Sequence, residues 1–310
     1  LQLQIRLSGY WFVFGGVVLN VWLKCAFVAC LLFTGVAQAN EPVVFVLAAT
    51  EKVVVTNPKG QQYSALPTQR LLHGHTIAVP KGQRFSVLIL NTGNRRVYNG
   101  PARLKVIADT VRVLSGPAVK VFPLEQAHLD LVDQWINLYT RPRGVLPVKG
   151  DKADKTEAAE SDALRVLQPI DGSLLLTRNP EFIFQGDLPR EGNLMLFDSR
   201  GKRFWVEPLE SEYVSLPPAA KFEWGQSFTW EVRRLTGGRV VSGSFHIASE
   251  ETARSLLEAR VPDTAGTLPE AKLFYGMRLQ LAKAYKEADE VWASLGMVLT
   301  AQGQPSRIRP

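Results

Sequence analysis

The sequence predicts a mainly β fold: two β modules in series, with a small α-helical C-terminal cap. Three observations carry this expectation. Short runs rich in Val, Ile, Phe, Trp and Thr recur over 43–121 and again over 164–247, broken by Gly, Pro and Asn turn signals. In the second stretch Phe228, Trp230 and Val232 alternate with Thr229, Glu231 and Arg233, the period of a strand with one buried and one wet face. Helical spacing is confined to residues 124–139 and to the region after Ser249.

Composition sets the frame for these elements. The chain has 310 residues, 46% apolar and 21% charged, too apolar for a disordered chain and long enough for two domains. Only 2 Cys are present, Cys25 and Cys30, which excludes a disulfide scaffold and a four-cysteine zinc knuckle. Lys24 followed by the apolar run 25–37 and by Ala37-Gln38-Ala39 has the order of a secretory signal peptide cleaved after Ala39. Two alternatives stand beside cleavage. The run 10–36 is long enough to be kept as a membrane anchor, although Lys24 at mid-bilayer would cost about 2.5–3.5 kcal/mol. Lipid attachment at Cys30 is the other. Cleavage would remove both cysteines and leave an exported, periplasmic chain stabilised by packed cores alone.

The first module, residues 40–121, holds seven expected strands at 43–48, 53–56, 76–79, 85–90, 96–98, 102–107 and 110–114. Asn57-Pro58-Lys59-Gly60, Pro80-Lys81-Gly82, Asn91-Thr92-Gly93-Asn94 and Asn99-Gly100-Pro101 supply the turns. Leu72-His73-Gly74-His75-Thr76-Ile77, Gly82, Phe85-Ser86-Val87-Leu88-Ile89-Leu90 and Tyr98-Asn99-Gly100-Pro101-Ala102-Arg103-Leu104 together resemble the periplasmic FecR-like domain. His75 departs from that pattern, which tends to carry an acidic residue after the glycine. The resemblance implies a small β-sandwich or β-roll in the envelope.

This module carries the charge of the protein. Eleven Lys and Arg stand against three Asp and Glu over 40–120, whereas the whole chain is only +7. Arg70, Arg84, Arg95, Arg96, Arg103 and Arg112 are therefore the candidate basic interaction surface, suited to an anionic glycan, lipid head groups or an acidic protein face. A solvated surface that only keeps the chain soluble is the competing reading. Export argues against nucleic acid. His73 and His75 alternate as if on one strand face, but His128 and His246 are distant, so no metal site is expected.

Leu124, Ala127, Leu131, Val132, Trp135, Ile136 and Tyr139 recur at helical spacing, so residues 122–140 hold an amphipathic helix whose stripe packs on a neighbouring domain or binds a partner. Residues 141–163, opened by Arg141-Pro142-Arg143-Gly144, are polar enough to read as a flexible linker.

The second module, residues 164–248, has expected strands at 174–177, 181–185, 193–198, 202–206, 212–216, 227–234 and 239–247. Ser199-Arg200-Gly201 and Thr236-Gly237-Gly238 read as hairpin turns. Pro180-Glu181-Phe182-Ile183-Phe184, Leu194-Met195-Leu196-Phe197-Asp198 and Phe228-Thr229-Trp230-Glu231-Val232 resemble a fibronectin type III or immunoglobulin-like sandwich. The resemblance implies a core built on Phe184, Phe197 and Trp230, and binding of proteins or glycans through loops and edges. Trp205 and Trp224 are a candidate glycan-stacking pair, with core packing the commoner fate of such residues.

Ser249 caps a helix that Pro262 stops, and two more helices follow from Pro269 with a break near Lys283-Ala284-Tyr285. Ala284-Tyr285-Lys286-Glu287-Ala288 resembles the turn and second-helix start of a tetratricopeptide hairpin, so residues 249–299 are the helical cap and 300–310 a frayed tail. The sequence has no Gly-x-Ser-x-Gly, His-Glu-x-x-His, Walker or dinucleotide motif. The expectation is a non-enzymatic, cofactor-free envelope protein, a sensor or scaffold that works through protein contacts. Binding to peptidoglycan or an anionic glycan is the alternative, and membrane association would come only through an uncleaved N-terminal segment.

Overall fold

The computed structural model describes residues 5–7, 10–12, 44–108, 110–140, 164–189, 192–217, 220–234, 239–262, 264, 268–299 and 305–307. Residues 24–39, expected to be the core and cleavage site of a signal peptide, residues 141–163, expected to be a linker, and the Thr236-Gly237-Gly238 turn lie outside them. The chain divides into two units, Leu1–Pro42 and Val43–Pro310. In the first, β1 (Ile5–Leu7) and β2 (Tyr10–Phe12) pair antiparallel. The second unit is mainly β, as expected.

Ten strands follow in order: β3 (Val44–Ala49), β4 (Val54–Thr56), β5 (Gln62–Ser64), β6 (Arg70–Leu71), β7 (Thr76–Val79), β8 (Arg84–Ile89), β9 (Asn94–Asn99), β10 (Ala102–Ile107), β11 (Thr110–Ser115) and β12 (Lys120–Pro123). They form an outer sheet β11-β10-β7-β4-β5 and an inner sheet β12-β9-β8-β3-β6. Val44 and Val46 of β3 meet Val55, Ile77 and Leu104 of the outer sheet in one core, so the two sheets pack face to face. β5, β6 and β12 are not among the seven strands expected. β5 and β6 are too short to show a period, β12 has its two apolar residues side by side rather than alternating, and pairing with β4, β3 and β9 is what holds the three extended. Gly100 closes the β9–β10 turn where a Cβ would lie 1.7 Å from the Pro80 carbonyl oxygen, a close approach only glycine allows.

β3 is buried from Val44 through Ala48 on both faces. Its odd residues explain why. Phe45 and Leu47, with Leu88 of β8, leave the sandwich core and enter a second core made with the helices. Those helices are α1 (Gln126–Thr140), α2 (Glu250–Glu258), α3 (Pro269–Leu281) and α4 (Tyr285–Ser294). Trp135 of α1 meets Phe45 edge to face at 5.9 Å between centroids, and its indole Nε1 donates to Gln280 Oε1 of α3 at 3.1 Å. Ser249 caps α2, its hydroxyl accepting from the Thr252 N–H, and α3 ends at Leu281 before the break at 282–284, as the sequence predicts.

The second sandwich comprises β13 (Arg165–Gln168), β14 (Ser173–Leu175), β15 (Glu181–Gln185), β16 (Gly192–Asp198), β17 (Arg203–Pro208), β18 (Tyr213–Ser215), β19 (Ser227–Arg234) and β20 (Arg239–Ile247). A three-stranded sheet β13-β15-β18 faces a five-stranded sheet β14-β20-β19-β16-β17. Phe182, Phe184, Phe228, Trp230 and Phe245 fill the space between them. Phe197 does not. The pairing of β16 with β19 places Leu194 and Leu196 opposite Val232 and Trp230, so the leucines point inward and Phe197 lies half-buried on the other face, opposite Thr229. Three successive apolar residues, Leu194, Met195 and Leu196, hide that phase in the sequence.

The helices are more than a cap on this sandwich. Leu174, Leu176 and Ala248 from the second sandwich enter the same core as Phe45 and Leu47 from the first. The Leu174 N–H also donates to the Lys283 carbonyl in the α3–α4 turn at 2.9 Å. Beyond α4, β21 (Met297–Leu299) pairs with β22 (Pro305–Arg307), so part of the expected frayed tail is paired strand.

Candidate functional site

The register of the first sandwich sorts the six candidate arginines onto three faces. Arg70 stands opposite Phe45, Arg95 opposite Leu88, and Arg84 shares the Leu88 face of β8, so all three lie on the side of the inner sheet that meets the helices. Arg84 makes an ion pair at 3.2 Å with Glu270 of α3, whose side chain is only 2% exposed and whose Oε2 has no hydrogen-bond partner. The Arg95 guanidinium sits 4.8 Å from the centroid of Phe122 on β12. Arg96 takes the opposite face with Tyr98, between the sheets, and donates to the Val111 carbonyl at 3.3 Å. Burial raises the pKa of that Tyr98 phenol.

Only Arg103 and Arg112 reach the open face of the outer sheet. Ala102, Leu104 and Val106 of β10 point into the core, which turns Arg103 and Lys105 outward. Lys105 stands directly opposite Arg112 of β11. Like charges opposed across a ladder are destabilising. No described acidic side chain pairs with Arg103, Lys105 or Arg112, all three of which are exposed. Sequence counting found the charge but not this grouping, because which cations share a face depends on strand phase.

The histidines do not share a face. Gly74, at φ +89°, turns the chain so that His73 is exposed while His75 is buried with its ring Nδ1 2.9 Å from the Leu72 carbonyl oxygen. Among the described residues no group of His, Cys, Asp and Glu is arranged to hold a metal. The tryptophans are separate too. Trp205 lies on the edge strand β17 with its indole donating to Glu207 at 2.9 Å. Trp224 packs between the second sandwich and the helical core under the Arg178 guanidinium, 5.6 Å from its ring.

A cleft of about 340 Å³ opens where β13, the 176–180 loop and α4 meet. Val166, Leu167, Pro169, Ile183, Tyr285 and Val298 give it apolar walls. The Lys286 ammonium bonds Glu181 at 2.5 Å on its wall. The hydrogen bond from Lys286, opposed by burial, holds the Glu181 carboxyl below its ordinary range. Burial alone would lower Lys286, but its hydrogen bond to Glu181 and the attraction of Glu181, Glu287 and Glu290 together outweigh that and leave it raised. Glu287, next on α4, is pushed up by burial, and its Oε2 finds no partner. Sequence reasoning missed this cleft, because it forms between β13 and a helix more than a hundred residues later.

Comparison of the chain with protein-family models and with curated proteins found no match.

Proposed function

We propose that this chain is an exported, non-enzymatic scaffold or sensor of the cell envelope that works through protein contacts, with the signal peptide removed after Ala39. The signal-like order of Lys24, the apolar run and Ala37-Gln38-Ala39 supports export, and the boundary between the chain's two units falls shortly after, between Pro42 and Val43. The FecR-like and fibronectin- or immunoglobulin-like readings belong to the same proposal. For the latter, support comes from a three-stranded sheet facing a five-stranded one, with the first strand of the chain path split between them as β13 and β14.

The observation that carries the reading is β12. It is the edge strand of the inner sheet, all four of its residues are exposed, and it presents Val121 at 49% and Phe122 at 40% exposure. An edge strand with unpaired backbone and exposed apolar side chains is a template for strand addition. Lys120 on β12 and Arg95 and Arg96 on the adjoining β9 give that edge positive charge on both faces. The partner fitting it is an extended, acidic and apolar segment of another envelope protein.

The test is capture from envelope extract with the tagged full chain, beside a Val121→Lys/Phe122→Lys variant that keeps its circular dichroism spectrum. A stoichiometric protein retained by the parent and lost by the variant is the expected result. No such protein, or equal retention by both, would overturn the proposal.

A further inference from the structure

We infer that the open face of the outer sheet binds an extended polyanionic glycan, one bearing carboxylate or phosphate groups. The inference uses a different face from β12 and stands whether or not β12 takes a protein partner. It begins with register. Arg112, Lys105, Thr76, Thr56 and Gln62 are successive partners across β11, β10, β7, β4 and β5, one row along the whole width of the sheet. Beside it runs a second row of Arg103, Ala78, Val54 and Ser64. At about 4.8 Å between strands the first row spans roughly 19 Å.

The chemistry of the two rows is uneven. Three cations are gathered at the β10–β11 end, and hydroxyl and amide groups continue across the other strands. The repulsion between Lys105 and Arg112 has no described counter-charge, so an anion placed over β10 and β11 relieves it. The polar track offers hydrogen bonds to sugar hydroxyls along the rest of the chain. Small side chains at Thr76 and Ala78 leave the centre of the face flat.

The same face fits other anionic partners less well. Peripheral membrane binding uses buried aromatic and aliphatic anchors beside the cations, and protein interfaces centre on aromatic or large apolar residues. Here the one large apolar side chain prominently exposed on these strands is Leu114. A polymer held by charge at one end and hydroxyl contacts along its length needs neither kind of anchor.

The probe is a polygalacturonate oligomer titrated into the full chain by calorimetry at low salt, with neutral dextran and phosphatidylglycerol vesicles as the other arms. Two variants of equal charge change separate the site from bulk charge: Arg103→Gln/Lys105→Gln/Arg112→Gln, and Arg200→Gln/Lys202→Gln/Arg203→Gln on the second sandwich, all six residues being exposed. Their melting curves establish that both fold. Three exposed charge pairs account for about a tenfold effect on affinity. The expected result is polygalacturonate binding weakened about tenfold by the first variant and less than twofold by the second, lost on adding salt, with no binding to dextran. Equal weakening by both variants, no binding to the polyanion, or tighter binding to the vesicles would overturn the inference.

Discussion

The inner sheet of the first sandwich and the five-stranded sheet of the second have the same number of strands but different surroundings. The inner sheet is covered on both sides, by the outer sheet and by the helices, so β3 reads as an unbroken apolar run. The second sheet is covered on one side except at its β14 edge, where Leu174 meets the helices, so β19 in its middle alternates, with Phe228, Trp230 and Val232 buried and Thr229 and Arg233 exposed. Their cores differ as well. Valine dominates the first, through Val44, Val46, Val53, Val55, Val79 and Val87, whereas five phenylalanines and Trp230 dominate the second. A doubly covered sheet owes its stability to both neighbours, and here one of them is the helical layer it shares with the second sandwich.

The sharpest way to break that comparison is to remove the shared layer's anchor. Trp135→Ala deletes the contact with Phe45 and the bond to Gln280, and the expected loss is about 3–5 kcal/mol in urea unfolding. Because the core is common, the loss is expected in the unfolding of both sandwiches. Next in size is the contrast of the two cores. Phe228→Ala is expected to cost about 3–5 kcal/mol and Val87→Ala about 2, since fewer buried carbons are lost and a smaller cavity is left.

Breaking the tie between the inner sheet and α3 has an intermediate effect. Arg84→Ala leaves the buried Glu270 carboxylate uncompensated, and a loss of about 2 kcal/mol is expected, discounted from fully buried pairs because Arg84 is 42% exposed. Adding Glu270→Met should recover part of it. A Glu270→Met/Arg84→Ala chain no more stable than Arg84→Ala would show that the carboxylate is not the cause.

The smallest effects concern the cleft, and they have opposite signs with pH. The folded Glu181 carboxyl titrates below its unfolded value of about 4.5, so its contribution is present above that pH and is lost as pH falls toward the folded value. Glu181→Gln is therefore expected to lower the melting temperature slightly at pH 7 and less at pH 3. Glu287 titrates above about 4.5 in the fold, so protonation is favoured there and its stability is lost as pH rises through the folded value. Glu287→Gln is expected to raise the melting temperature at pH 7, with the gain vanishing near pH 4. Both effects are expected to stay below about 1 kcal/mol.

How far the sequence announced this structure follows from where its information is local. Strands such as β10 and β19 alternate within themselves, and the Ser249 cap needs only its own helix, so these were legible. Phe197 and β5 were not, because phase and pairing are decided by strands elsewhere in the chain. The same reason governs the site residues. Arginine content was plain, but the register of β10 and β11 separates Arg103 and Arg112 from Arg84, which the helices take. Lys105 joins the group for a reason visible only when Arg112 is found opposite it. Burial of β3 on both faces was written in its composition, whereas the identity of its second cover lay more than two hundred residues away, in α3.

The central claim is that one helical core joins the two sandwiches into a single cooperative unit. Native-state hydrogen exchange in low urea, read separately on peptides covering β8 and β19, tests it directly. The account predicts that both strands open with the same free energy and the same urea dependence, and that Trp135→Ala lowers both together. Strands that open at different free energies, with β19 unaffected by Trp135→Ala, would contradict it.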